Sequence, residues 1–203
     1  MQVTKITLSP EELSVVNDTD FFHLKHDAMQ KILELFGELE ATLKTDELFK
    51  AVHYESLEKK TGRIFRGENY RKLPYMVLDY PKLFSADNML TYRCMFWWGN
   101  EFSFTLHLQG RAWEKYRPLI EKNVFSLLNQ EVYFCVHQSP WQYYFAEDNY
   151  LLLDKLVKEP VTFDTMLAQR EFIKFSRKIP VADYKNAINY GMETFRLFFG
   201  LLL

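Results

Sequence analysis

Met89-Leu90-Thr91-Tyr92-Arg93-Cys94-Met95-Phe96-Trp97-Trp98, then Gly99-Asn100, then Glu101-Phe102-Ser103-Phe104-Thr105-Leu106-His107-Leu108-Gln109 is the stretch on which the fold turns. Both arms are rich in aromatic and β-forming residues, and Gly followed by Asn suits a two-residue hairpin turn. With that turn Trp98 faces Glu101, Phe96 faces Ser103, Cys94 faces Thr105 and Tyr92 faces His107. Directly opposed residues share a face, so these eight form one mixed face. The other face pairs Trp97 with Phe102, Met95 with Phe104 and Arg93 with Leu106, and is expected to meet the core. A slip of one residue inverts all of these assignments.

Upstream of the hairpin, Arg63-Ile64-Phe65-Arg66 and Tyr75-Met76-Val77-Leu78 read as short strands, the second opened by Pro74 and ended by Pro81. Further back, Ser9-Pro10-Glu11-Glu12 is a helix start, with a capping Ser, Pro at the first helical position and acids at the positive end of the dipole. That helix ends near Asn17. A longer one, over about 20–43, carries Phe22, Met29, Ile32, Leu33, Phe36, Leu39 and Leu43 as its apolar stripe.

Downstream, 111–130 is expected to be helical, interrupted or kinked at Pro118. Residues 131–137 and 141–146 read as a second hairpin around Gln138-Ser139-Pro140. Asp148 or Asn149 can cap a helix to Lys158. Phe172-Ile173-Lys174-Phe175 is a last strand, and Pro180 opens a C-terminal helix striped by Ile188, Met192, Phe195 and Phe199. Strands cluster as hairpins rather than alternating singly with helices. The pattern predicts one α+β domain over residues 1–203: an antiparallel, hairpin-built sheet of about five to seven strands packed with a long N-terminal helix, a middle helix and a C-terminal helix.

Bulk composition fits. The 203 residues are 48% hydrophobic and 17% aromatic, ample for a core of large rings. A formal net charge of −2 gives no global attraction to nucleic acid or anionic lipid. No signal peptide or run of about 18 apolar residues is visible. Two cysteines, Cys94 and Cys135, are too few for a disulfide scaffold, and a reducing cytoplasm is the expected compartment.

Candidate chemistry is sparse. No Gly-rich phosphate loop, nucleophile elbow or other cofactor motif occurs, so no cofactor is expected. His23 and His26 share a helix face but lack further ligands, so no metal site is expected. Tyr92 and His107, opposed on the mixed face, are the candidate catalytic acid–base pair. Their bland alternative is a satisfied buried polar pair. His137 lies two residues from Cys135, too far for a helper base on a straight strand. Between Lys59 and Lys72, the cations Lys59, Lys60, Arg63, Arg66, Arg71 and Lys72 are interleaved with Phe65 and Tyr70 against one acid, Glu68. Arg among rings can hold phosphates, carboxylates or stacked bases, although strand alternation splits Arg63 from Arg66. A solvated basic edge that discourages aggregation is the competing reading.

Arg63-Ile64-Phe65-Arg66, Tyr70, Lys72 and Pro74-Tyr75, following a long N-terminal helix, resemble a family of bacterial conserved hypothetical proteins in which a basic–aromatic–basic strand leads to a polar loop ending in Pro-Tyr. The stretches 102–108 and 172–175 sit in comparable places, so the likeness spans about half the chain. Gly67 stands where that family tends to carry an acid, and the loop is shorter. The resemblance implies an α+β fold and a bacterial cytoplasmic origin. It implies no activity and carries over no site residue.

Three functional readings follow. One is a binding domain for a small anionic or aromatic ligand, held by Arg63, Arg66 and Arg71 or by the mixed face with Phe96 and Trp98. The second is an enzyme using His107 with Tyr92. The third is an interaction module, a homodimer through the apolar C-terminus Phe198, Phe199 and Leu201 to Leu203.

Overall fold

In the computed structural model, residues 5–54, 61–85, 87–158 and 160–203 are described. Seven strands form one sheet in the order β1-β2-β3-β4-β7-β5-β6, every neighbour antiparallel. They are β1 (Arg63–Tyr70), β2 (Leu73–Ser85), β3 (Asn88–Trp97), β4 (Glu101–Gly110), β5 (Tyr133–Cys135), β6 (Tyr150–Leu152) and β7 (Phe172–Pro180). Seven α-helices accompany them: α1 (Pro10–Asn17), α2 (Thr19–Thr45), α3 (Glu47–Ala51), α4 (Arg111–Asn123), α5 (Leu153–Leu156), α6 (Pro160–Ala168) and α7 (Ala187–Phe199). The class is α+β with an antiparallel sheet, as the hairpin pattern predicts.

The central hairpin forms, but its register differs by one residue. Phe96 pairs with Phe102, Cys94 with Phe104, Tyr92 with Leu106, and Thr91 with His107. The connection is a three-residue loop, Trp98-Gly99-Asn100, closed by Asn100 N–H donating to Trp97 O at 3.0 Å, with Gly99 at φ 72°. Left-handed backbone at that position suits Gly. The extra loop residue brings the apolar set of β4, Phe102, Phe104, Leu106 and Leu108, onto the face of Tyr92, Cys94 and Phe96. This single apolar face is the core side. All of these side chains are buried.

Helices α2, α4 and α7 supply most of the cover on that face, with Phe49 of α3, Leu153 of α5 and Phe163 and Leu167 of α6 in the same core. α2 contributes Met29, Phe36, Leu39 and Leu43, α4 contributes Trp113, Tyr116 and Ile120, and α7 contributes Met192, Phe195, Phe198 and Phe199. α7 lies close to the sheet at Gly191, where a Cβ would stand 2.8 Å from Phe104 Cε1. Tyr92 donates its hydroxyl proton to Gly191 O at 2.5 Å across the same contact.

Other boundaries move. β2 continues through Pro81 to Ser85, with a register shift between Tyr80 and Leu83, instead of ending at the proline. Pro118 lies inside α4. β5 pairs with β6, so 141–146 is not a strand, and β6 occupies the start of the expected helix after Asn149. α1 and the first ten residues of α2 bury no side chain. The C-terminus is the reverse. Phe198, Phe199, Leu201 and Leu202 are packed in the core and Gly200 and Leu203 are exposed, so of the side chains expected at a dimer contact only Leu203 reaches the surface.

Candidate functional site

The sheet's second face carries an apolar cluster of Val77, Met95 and Trp97 at one end and a polar layer beside it, whose side chains line up in two rows across the strands. Register sets Thr91 of β3 opposite His107 of β4 and His107 opposite Lys174 of β7. β5 and β6 extend this row, with Cys135 opposite Tyr150. The adjacent row runs from Arg63 through Asp79, Arg93, Thr105 and Ser176 to Tyr133. Asp79, Thr91, Arg93, Thr105, His107, Lys174 and Ser176 are all buried. Burying so many polar groups requires partners for each.

Part of this layer is fully paired. Arg93 holds Asp79 through Nε and Nη2, at 2.7 and 2.8 Å, the fork geometry that makes such pairs strong. The Thr105 and Ser176 hydroxyls share a hydrogen bond of 2.7 Å. His107 Nδ1 and the Tyr143 hydroxyl share one of 2.9 Å. The rest is less complete. Lys174 donates to Gln142 O and lies 4.3 Å from the Tyr143 ring and 5.2 Å from the Tyr150 ring. No carboxylate among the described residues reaches it. Thr91 Oγ1 and His107 Nε2, on directly opposed residues, have no hydrogen-bond partner among the described residues. Tyr150 Oη lies near Thr105 but makes no hydrogen bond of good geometry.

The roof over this layer is an irregular strap, residues 137–149. It is tied by side chains rather than by a ladder. Tyr143 N–H and Tyr144 N–H both donate to Tyr70 Oη, at 2.8 and 3.2 Å. Asn149 Nδ2 donates to Tyr144 O at 2.6 Å, and Tyr144 Oη donates to Asp148 at 2.7 Å. Arg71 caps the Tyr144 ring at 3.9 Å. Beside the strap opens a groove of about 450 Å³, lined by Gln109, Gln138, Pro140, Met166, Arg170 and Phe172 among others. Gln109 is the next residue after His107 on the polar face of β4, and Phe172 packs 5.9 Å from the His107 ring. The groove therefore adjoins the buried layer at its His107 end.

Burial dominates the electrostatics. It pushes Lys174 down to about 8, with the positive fields of Arg93 and Arg170 adding to the drop and Cys135 opposing it. It pushes His107 well below its usual value, and Lys174 and Arg93 push the same way. His107 is thus a neutral imidazole near pH 7 and Lys174 an ammonium held with difficulty.

The residues expected from sequence do not gather here as a set. Tyr92 and His107 lie on opposite faces of the sheet, so no Tyr–His acid–base pair forms. The one-residue register difference is the reason. Burial raises the Tyr92 hydroxyl well above its usual range, and Phe96 is packed against Phe102 at 5.1 Å in the core. Trp98 stands in the hairpin loop, half-buried against Phe96 at 6.0 Å. Arg63 and Arg66 project from opposite faces of β1, as alternation predicts. Arg71, at φ 50°, forms with Lys72 a two-residue turn between the paired Tyr70 and Leu73. Among the described residues, Arg63, Arg66, Arg71 and Lys72 form no convergent anion site; Lys59 and Lys60 lie outside them. Sequence reasoning missed Lys174, Arg93 and Asp79. The signal for Lys174 was available, in the alternation of Ile173, Phe175 and Ile179 with Lys174, Ser176 and Lys178, broken only by Arg177 on the apolar side.

Among the described residues no group of three or more His, Cys, Asp or Glu side chains is placed to hold a metal ion, and no helix is long and apolar enough to cross a membrane. Comparison with known proteins finds no family model, no curated sequence and no solved structure that matches the chain.

Proposed function

We propose that this protein binds a small organic anion, a carboxylate on or beside a ring, between the polar sheet face and the strap over it. The carrying observation is Lys174, a fully buried ammonium with no carboxylate partner among the described residues. Its neighbour Arg93 is already matched by Asp79. Gln142 O, the Tyr143 and Tyr150 rings and Cys135 compensate this charge in part; a buried charge without a full counter-ion still costs free energy, and a ligand carboxylate at hydrogen-bond distance recovers some of it. Thr91 Oγ1 and His107 Nε2 supply polar contacts on the same row, while Trp141, Tyr143 and Phe172 surround the His107 ring and suit an aromatic body. The groove at Gln109 and Phe172 is the route of access, with the strap yielding as the ligand seats. Cys94 and Cys135 are free and buried on opposite faces of the sheet, which fits a reducing compartment, and a cytoplasmic setting belongs to the same proposal.

The test is thermal shift and calorimetry at pH 7 with benzoate, phenylacetate, acetate and inorganic phosphate, on the natural protein and on Lys174→Met. The expected result is saturable stabilisation by an aromatic carboxylate that is at least tenfold weaker in Lys174→Met. No shift with any of these anions, or equal shifts in both proteins, defeats the reading.

A further inference from the structure

Among the described residues Lys174 is the only buried lysine. Register sets it directly opposite His107 of β4, and opposed residues project from one face with Cβ atoms about 5 Å apart. Its Nζ donates to Gln142 O and is flanked by the Tyr143 and Tyr150 rings at 4.3 and 5.2 Å. His107 Nδ1 is engaged by the Tyr143 hydroxyl at 2.9 Å. Its Nε2 is buried and has no partner among the described residues. The lysine nitrogen is thus held in place, shielded from water and faced by no carboxylate of the described chain, with an uncommitted proton-transfer group on the residue opposite. Removal from water beside other cations is the setting that turns a lysine from a point charge into a nucleophile.

We propose that Lys174 captures a ring-bearing aldehyde as a reversible imine beneath the strap. The inference rests on the access to Lys174 put forward above, and not on a carboxylate in the ligand. The free amine adds to the carbonyl carbon, a C–N bond forms, and the carbonyl oxygen becomes a hydroxyl. That hydroxyl then leaves as water while the nitrogen lone pair closes the C=N bond. Amine and aldehyde give imine and one water, with no oxidant or reductant. Both steps move a proton from the nitrogen to the oxygen, and the neutral His107 imidazole, through Nε2, is the group placed to carry it. Charge favours capture, because an aryl imine is far less basic than an alkylamine and the adduct replaces a buried ammonium with a neutral group. Shape favours an aromatic aldehyde, since Trp141, Tyr143 and Phe172 surround the His107 ring. The charged and titratable groups around the nitrogen are Arg93 (paired with Asp79), His107, Cys135, Tyr143, Tyr150 and Arg170. With burial they hold Lys174 down to about 8, so about a tenth of it is free amine at pH 7, far more than of an exposed lysine.

The experiment treats the full chain with benzaldehyde and sodium cyanoborohydride, which reduces an imine to a stable benzylamine, and locates the benzyl groups by peptide mapping. Benzoate binding is measured by calorimetry on the same protein. At pH 7 Lys174 is expected to be labelled at least tenfold faster than any other lysine. The preference is expected to shrink as pH rises to 10, where exposed lysines lose their protons as well. His107→Gln is expected to slow labelling of Lys174 at least fivefold, and labelling at the natural rate overturns the proton path. An adduct on Lys174 without benzoate binding upholds the imine and defeats the anion reading. Benzoate binding with no adduct on Lys174 overturns the imine and leaves the anion reading standing. Labelling of Lys174 no faster than that of exposed lysines also overturns the proposal.

Discussion

Replacing Lys174 with Met removes the buried ammonium while keeping an unbranched chain of similar length, and it isolates the energetic strain in the polar layer. Lys174 falls from 10.5 to about 8 on folding, which corresponds to about 3 kcal/mol at roughly 1.4 kcal/mol per pH unit. The lysine's folded value is depressed, so below pH 8 both states hold the proton and the folded state bears the full penalty. Between pH 8 and 10.5 the unfolded chain still holds a proton that the folded protein has released. The unfolded state then binds more protons, and stability rises with pH across that window. Urea unfolding of both proteins at pH 7, 8, 9 and 10.5 is the assay. The difference between them cancels the tyrosines and the other lysines, which titrate alike in each. The natural protein is expected to gain about 3 kcal/mol relative to Lys174→Met from pH 7 to pH 10.5. Parallel curves, with the difference constant to within 1 kcal/mol, refute the account of Lys174 as an uncompensated buried charge.

Two further perturbations test the faces of the sheet separately. Asp79→Ala leaves Arg93 buried without its carboxylate and is expected to cost about 3–5 kcal/mol in urea unfolding, whereas Asp79→Leu/Arg93→Met recovers most of the loss because an apolar pair of similar volume needs no partner. A double variant as unstable as the single one argues that the pair itself holds the strap. On the helix side, Gly191→Ala places a methyl 2.8 Å from Phe104 Cε1 and 3.4 Å from Leu39 Cδ2, so either α7 or the buried Phe104 ring must shift. The expected cost is about 1–3 kcal/mol, read as a fall in melting temperature, and an unchanged midpoint shows that α7 is not held at that spacing.

The order of elements was legible because the periods are clean. Ser9, Pro10 and Glu12 mark the start of α1, and the expected Ser9 cap is present, Glu12 N–H donating to Ser9 Oγ at 3.2 Å, with Ser9 N–H donating back to the Glu12 carboxylate at 2.7 Å to complete a capping box. The register of β3 with β4 was decided by two competing signals. Gly99-Asn100 argued for a two-residue turn, while the alternation of Phe102, Phe104, Leu106 and Leu108 with Ser103, Thr105, His107 and Gln109 argued for whichever loop joined that apolar set to Tyr92, Cys94 and Phe96. Burial of seven large side chains outweighs one turn preference, and the loop became three residues long. Residues 141–146 misled in the opposite way. Trp141, Tyr143, Tyr144 and Phe145 have strand-like composition, but Tyr143 and Tyr144 pack onto Val77, Met95 and Trp97, Phe145 stacks on Tyr150 and Trp141 lies edge-on to His107, and composition does not distinguish a strand from an aromatic roof.

The candidate site was illegible for a related reason. Each of its charged members reads in sequence as a solvent-facing residue of an amphipathic strand: Asp79, Arg93, His107, Lys174. Only the sheet order, which brings β7 beside β4 from some seventy residues away, aligns them in rows, and only the strap removes them from water. The two faces differ in how they are closed. Helices, chiefly α2, α4 and α7, seal the apolar face with large side chains and their own internal hydrogen bonds. The polar face is sealed by thirteen residues whose principal anchors are the Tyr70 hydroxyl, the Asn149 amide and ring contacts. Segments with few ladder bonds open at lower free energy than the global unfolding of the core. A strap that opens exposes an ammonium, an imidazole and the Thr91 and Tyr150 hydroxyls together, while the helix-backed face and the register that positions those groups remain intact.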